Sequence, residues 1–166
     1  MAVRFTSCSM HTVDSKGRVF IPQHYRDLLG EKFVISLSIG MRTPAFYTVE
    51  AWEERCRLFD RASQTDQNEY LISFLVNGST FEDYSCDAQG RVLIPQALRE
   101  RYSLKEGQDV MLVGTGSTLE LWNSEKFNKQ MELLYGNGEF PNENVDRLLK
   151  YIENKYSAVQ TASEDK

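Results

Sequence analysis

Cysteine and histidine are scarce in this 166-residue chain, with three of the first and two of the second. Cys8, Cys56 and Cys86 are odd in number and form no Cys-x-x-Cys pair, and His11 and His24 are the only histidines that could join them on a metal. The spacing therefore favours small buried thiols in a reducing compartment over a disulfide framework or a zinc site. Long apolar runs are missing as well. The longest strongly apolar stretches are three or four residues, against the roughly 20 needed to cross a bilayer, which excludes a transmembrane helix and any membrane partner of that kind. Met1 to Met10 carry one arginine and nothing like a signal-peptide core, so a cytoplasmic location is expected. With 4 prolines and 10 glycines beside 41% hydrophobic and 26% charged residues, the composition excludes fibrous, collagenous and wholly disordered chains. The length suits one domain or two small ones.

An excess of positive charge is also lacking, since the net charge is −5. Taken over the whole chain this argues weakly against nucleic acid. The distribution argues the other way. Residues 1–30 hold four basic and two acidic side chains, and residues 87–105 hold the same balance, whereas residues 50–83 hold eight acidic against three basic and residues 120–166 nine against six. Two positive segments thus alternate with two negative ones, and overall charge says little about a local binding face.

What the chain does contain is an internal repeat. Asp14-Ser-Lys-Gly-Arg18-Val-Phe-Ile-Pro22-Gln-His-Tyr-Arg26 returns 73 residues later as Asp87-Ala-Gln-Gly-Arg91-Val-Leu-Ile-Pro95-Gln-Ala-Leu-Arg99, with eight of thirteen positions identical. Two copies indicate a duplicated unit; a solenoid needs three or more repeats. In each copy Asp-x-x-Gly suits a type I turn: the carboxylate accepts from backbone N–H groups two residues on, and Gly17 or Gly90 takes the left-handed conformation that follows. A hairpin with a glycine bulge is expected, leading through Arg-Val-x-Ile into a short strand. Pro22 or Pro95 then opens a short helix, closed in the first copy by Gly30 and less distinctly in the second by Tyr102-Ser103.

The two halves continue in parallel. Lys32 to Leu37 and Asp109 to Val113 read as strands, Ala45 to Val49 and Thr118 to Trp122 as a second pair, and polar helices begin near Glu50 and Ser124, with Trp52 and Phe127 tucked under the strands. Asp66 to Asn77 carries Tyr70, Leu71, Phe74 and Leu75 on one helical face with Gly78 as its stop, and Gly136 to Gly138 reads as a hinge. Val145, Leu148, Leu149, Ile152 and Tyr156 again follow helical spacing, as a stripe that docks on its own protomer or on a neighbour. From Ala158 onward no periodicity remains.

For any one copy, an Asp paired with the Arg four residues on is an ordinary surface contact contributing about 0–1 kcal/mol. That explanation needs no second copy with the same spelling, whereas a duplicated binding surface does. An arginine just after a tight turn stands on a rigid platform, and its planar fork matches guanine O6 and N7 or two phosphate oxygens. Arg18 and Arg91 are therefore candidate base readers, Arg26 and Arg99 candidate phosphate contacts that set register, and Lys16 an added charge at the first turn's tip. Gln89 stands where Lys16 has its counterpart. Catalytic signatures are absent: no Gly-x-Gly-x-x-Gly, P-loop, Gly-x-Ser-x-Gly or His-Glu-x-x-His occurs. His24 becomes Ala97 in the second copy, which excludes a repeated histidine site, and no catalytic residue, metal or cofactor is expected.

The motifs Asp14-Ser-Lys-Gly-Arg18 and Asp87-Ala-Gln-Gly-Arg91, each followed by Ile-Pro, with Leu112-Val-Gly114 and Leu119-Glu-Leu-Trp122, resemble the bacterial MraZ family from about Ser9 to Leu134. The resemblance implies an α+β fold of two tandem AbrB-like (SpoVT-AbrB) swapped-hairpin units that form an intrachain pseudo-dimer with flanking helices. It also implies a DNA-binding transcriptional regulator, not an enzyme, that recognises short direct repeats upstream of the division and cell-wall gene cluster. Such a protein works on double-stranded DNA at the nucleoid as a homo-oligomeric ring. Carried over by position, the motif residues are Asp14, Lys16, Arg18, Asp87 and Arg91. This sequence departs from the pattern at Gln89 and in a few extra residues before Thr12. The chain is then expected to divide into a first unit over 9–62, a connecting helix over 63–78, a second unit over 79–135, a C-terminal helix over 139–157 and a disordered tail over 158–166. Two rivals stay open: a protein-interaction or antitoxin-like module of the same fold that binds through its acidic helices, and, far behind, a hydrolase using surface carboxylates.

Overall fold

The computed structural model describes residues 4–62, 66–136 and 143–163. Contacts divide the chain into two compact units, Met1–Ser124 and Glu125–Lys166. In the first, the elements run β1 (Cys8–Thr12), β2 (Arg18–Phe20), α1 (Gln23–Leu29), β3 (Phe33–Leu37), β4 (Pro44–Thr48), α2 (Val49–Ala62) and α3 (Gln67–Asn77). They continue as β5 (Phe81–Tyr84), β6 (Arg91–Leu93), α4 (Gln96–Tyr102), β7 (Asp109–Gly114) and β8 (Leu119–Asn123). Each repeat thus supplies two short arms, a seven-residue helix and a long hairpin.

The repeats exchange arms. The six-stranded antiparallel sheet has the order β1-β7-β8-β4-β3-β5, so the opening strand of each repeat pairs with the hairpin of the other. β1 runs beside β7 from Cys8 opposite Val113 to Thr12 opposite Asp109. β5 joins β3 through Phe33 opposite Tyr84 and Ile35 opposite Phe81. The second arms, β2 and β6, form a separate two-stranded ribbon in which Arg18 faces Leu93, Val19 faces Val92 and Phe20 faces Arg91. At the sheet's centre β4 meets β8 through Ala45–Glu120 and Phe46–Leu119. The pseudo-dimer made within one chain is therefore present, and the two repeats share one sheet and one core.

That core follows from alternation. In Arg-Val-x-Ile, Val19, Ile21, Val92 and Ile94 point inward and are fully buried, while the residues between them face out. They pack with Tyr25, Leu98, Phe33, Phe46, Leu104, Leu112, Leu119 and Leu121. Burying each such side chain stabilises the fold by about 1.5–3 kcal/mol. A second cluster under α2 and α3 joins Val34, Ala45, Tyr47, Trp52 and Val76.

Glycine and proline act as their positions require. Pro22 and Pro95 cap α1 and α4. Gly30, at φ 82, returns its N–H to Arg26 O at 3.0 Å. Ser103 does the same work for α4 in the left-handed region at φ 59.

Several expectations need correction. Trp52 is buried, but Phe127 is only half-covered, and no residue of α5 (Ser124–Tyr135) is buried. From Glu125 onward α5 falls in the C-terminal contact unit. Asp66 caps α3 by accepting from the N–H groups of Asn68 and Glu69, but the helix buries Ser73 and Val76 and leaves Tyr70, Leu71, Phe74 and Leu75 between 37% and 67% exposed. The polar Ser73 can turn inward because its hydroxyl donates to Phe59 O at 3.4 Å. The last helix, α6 (Glu143–Ser163), runs through the segment expected to be a disordered tail. Extending an existing helix over Ala158, Val159 and Ala162 fixes one residue per hydrogen bond, without a new nucleus. The start of the connecting helix at 63–65, the hinge at 137–138, the helix start at 139 and the tail at 164–166 lie outside the described residues.

Candidate nucleic-acid interface

Each repeat builds the same turn from the same bonds. In the first, Gly17 N–H donates to Asp14 O at 3.0 Å and Asp14 N–H to Arg18 O at 2.9 Å; in the second, Gly90 N–H donates to Asp87 O at 2.9 Å and Asp87 N–H to Arg91 O at 2.8 Å. Gly17 and Gly90 both sit at φ 78, the left-handed region that favours glycine. Asp14 Oδ1 accepts from the N–H groups of Lys16 and Arg18, each at 2.9 Å, and Asp87 Oδ1 from those of Gln89 and Arg91, also at 2.9 Å. The second carboxylate oxygen takes the arginine: Arg18 Nε lies 2.8 Å from Asp14 Oδ2, and Arg91 Nε 3.0 Å from Asp87 Oδ2. Arg18 Nη1 also reaches Asp87 Oδ2 of the other repeat at 3.5 Å.

These bonds keep both aspartates ionised. For Asp87, the backbone N–H of Arg91 is the largest influence, aided by the Gln89 N–H and the Arg91 guanidinium, and together they hold the carboxyl below the usual carboxylate range. For Asp14, burial pushes the carboxyl up, but the N–H groups of Arg18 and Lys16 and the Arg18 guanidinium outweigh it, and the net shift is downward. Each arginine is thus braced through Nε on a fixed base, and the Arg18 guanidinium is tied through Nη1 to Asp87 of the other repeat as well.

The exchange places each turn against the other repeat. Ile94 N–H donates to Gly17 O at 3.0 Å, and Ile21 N–H to Gly90 O at 2.8 Å. Arg99 Nε donates to Ile94 O and Arg26 Nε to Ile21 O, both at 3.0 Å. The guanidinium of Arg99 then lies over Gly17, and that of Arg26 over Gly90, so closely that a Cβ at Gly17 would stand 2.5 Å from Arg99 Cζ and one at Gly90 2.9 Å from Arg26 Cζ. Arg26 and Arg99, expected only as phosphate contacts, therefore also lock each turn to its exchanged partner. Both are half-buried, whereas Lys16 is exposed at its turn's tip.

This lock makes a prediction about stability. Gly17→Ala is expected to destabilise the protein by roughly 1–3 kcal/mol, and by more than Gly107→Ala. Gly107 has a similar φ of 74, but a Cβ there would meet nothing within 4 Å. Urea unfolding of both variants, alone and with Arg99→Ala, checks it: Arg99→Ala should remove the excess at Gly17 and leave Gly107→Ala unaffected.

The ribbon brings Arg18 and Arg91 to one outward face, with Lys16 and Arg99 beside the first turn and Arg26 beside the second. Five cations and two carboxylates gather where the full chain is acidic. The face also carries two residues that the repeat did not single out, Phe20 at 43% and Leu93 at 50% exposure. Alternation alone would have found them, since they are two residues on from Arg18 and Arg91. Among the described residues no group of three or more His, Cys, Asp or Glu could hold a metal ion; the three cysteines are free thiols but not the buried ones expected, since Cys8 is exposed and Cys56 and Cys86 are only partly covered.

Comparison with known proteins places the chain among relatives that match most of its length. The family model described as "MraZ protein, putative antitoxin-like" matches residues 81–147. Proteins named Transcriptional regulator MraZ resemble much more of the chain. The one from Carboxydothermus hydrogenoformans is 36% identical over 121 residues, covering 71% of this chain and 80% of the relative. That from Caldicellulosiruptor saccharolyticus is 35% identical over 125 residues, covering 73% and 82%. That from Dictyoglomus turgidum is 33% identical over 144 residues, covering 84% and 94%. With a third of its residues shared along most of both chains, this chain belongs to the MraZ family of transcriptional regulators.

Proposed function

We propose that the chain regulates transcription by sequence-specific binding to double-stranded DNA, with the β2–β6 ribbon and its two turns set into the major groove. The groove admits a two-stranded ribbon, and Arg or Lys on guanine O6 and N7 is the commonest specific contact there. In this reading Arg18 and Arg91 fork onto guanines, and Lys16, Arg26 and Arg99 meet phosphates and fix the register. Asp14 and Asp87 aim the reading arginines, while Gly17 and Gly90 allow the turns. One observation carries the reading: the same carboxylate-braced arginine is built twice, on one face of one ribbon, by turns that each repeat lends to the other. A lone surface ion pair would require none of that construction. The targets follow the resemblance, as short direct repeats in the promoter of a division and cell-wall gene cluster, bound at the nucleoid in the cytoplasm by a homo-oligomeric ring. No helix among the described residues is long and apolar enough to cross a membrane. Exposed Tyr70, Leu71 and Phe74 on α3, and Leu148, Leu149 and Ile152 on α6, support self-association.

Mobility shifts over a salt series test the proposal. Each phosphate neutralised adds about −0.9 to the slope of log affinity against log salt, so three cations per protomer predict a slope of about −3 per protomer. A flat profile would instead favour the antitoxin-like protein-binding module, which the acidic stretch of α2 and α3 also fits.

A further inference from the structure

We infer that Phe20 and Leu93 are specificity-determining residues that read the C5-methyl groups of thymines beside the bases taken by Arg18 and Arg91; the inference rests on the DNA-binding reading above. The register sets Leu93 directly across the ribbon from Arg18 and Phe20 directly across from Arg91, which puts each pair's Cβ atoms about 4.5–5.5 Å apart on the same face. The intervening pair, Val19 and Val92, is fully buried, so the core already takes its share of this ribbon from the other face. Single exposed apolar residues are ordinary, but these two occupy equivalent places in the repeat, each beside a braced arginine at the centre of a charged face. In the major groove, apolar side chains find one apolar feature on the base edges, the thymine methyl. The two halves are not alike. Lys16, Arg18, Arg99 and Leu93 gather at the first turn, and Gln89, Arg91, Arg26 and Phe20 at the second, where the Phe20 ring lies 6.0 Å from that of His11. The two thymines accordingly occupy different places in the bound sequence.

The test starts from a duplex enriched out of a randomised library by the full-length chain, remade with each thymine replaced in turn by deoxyuridine. Losing a methyl contact should weaken binding about four-fold, from about 0.8 kcal/mol per buried carbon. With the parent protein the loss is expected at two thymines. In Phe20→Ala it should vanish at one of them and in Leu93→Ala at the other, with the salt slope unchanged. The exchanged variant Phe20→Leu/Leu93→Phe keeps an apolar contact at both places and should retain both losses, which separates lost contact from lost fold. If every deoxyuridine duplex binds like the thymine parent, or if the alanine variants keep the losses, the inference is wrong while the DNA-binding reading stands. If the chain enriches no duplex, both fall together.

Discussion

Replacing Arg18 and Arg91 together by alanine is expected to remove most sequence discrimination, weakening specific binding by about 2–6 kcal/mol per engaged protomer, since each guanine fork is worth about 1–3 kcal/mol. The folded state should barely notice. The pairs Arg18–Asp14 and Arg91–Asp87 are partly exposed at the surface, where such contacts contribute about 0–1 kcal/mol. A large loss of DNA affinity with little change in urea midpoint is therefore the signature of base reading. The single variants separate the copies: both should lose affinity if both turns are engaged, and each should relax discrimination at its own base. Lysine does not substitute, because its point charge cannot make the Nε contact to Asp14 or Asp87 while forking onto two acceptors. Asp14→Asn should act in the same direction but less, since an amide oxygen still accepts from the Lys16 and Arg18 N–H groups while the charge that fixes the guanidinium is gone. If the double variant binds the selected duplex as the parent does, these arginines only pair with their own turns and the interface lies elsewhere.

The turns were legible because their determinants are local. Asp at the first position, Gly at the fourth and a β-branched run after Arg specify bond partners within five residues, and the repeated spelling marked both places. Gly30 as a helix end and Asp66 with Gly78 around α3 belong to the same class. The exchange of arms left no such mark. β1 finds β7 some hundred residues away, and the short strands Cys8–Thr12 and Phe81–Tyr84 carry few apolar residues, so neither announces a pairing; only the family resemblance anticipated the swap. The second task of Arg26 and Arg99 was hidden for the same reason, because the glycine each covers belongs to the other repeat. On α3, helical spacing identified an apolar stripe correctly but not its direction. Val76 and Ser73 face Trp52 and Phe59 instead, since the cluster under α2 offers a snug place for a small side chain and a carbonyl for the serine hydroxyl.

Affinity for DNA carrying several copies of the selected element is expected to exceed that for a single copy by about 10²–10⁴-fold, the gain from making later contacts intramolecular when geometry lets the sites engage together. Charge makes the argument. A chain of net charge −5 is repelled by DNA as a whole, and one protomer offers only the five cations around its ribbon. Non-specific binding on that scale is typically 10⁻⁴ to 10⁻⁶ M at physiological salt. Seventeen of the 24 acidic residues lie in 50–83 and 120–166, outside both turns. Assembling several protomers so that their ribbons face one duplex concentrates the positive potential and turns the acidic helices elsewhere. A head-to-tail interface that closes into a ring achieves this with identical ribbons at a fixed interval. Light scattering should then report a mass several times the 19.2 kDa protomer, and the gain should depend on the spacing between elements, falling when an insertion of half a helical turn rotates one to the far side of the duplex. A protein that stays at 19.2 kDa and binds one element as tightly as four would show that a single pair of braced arginines suffices.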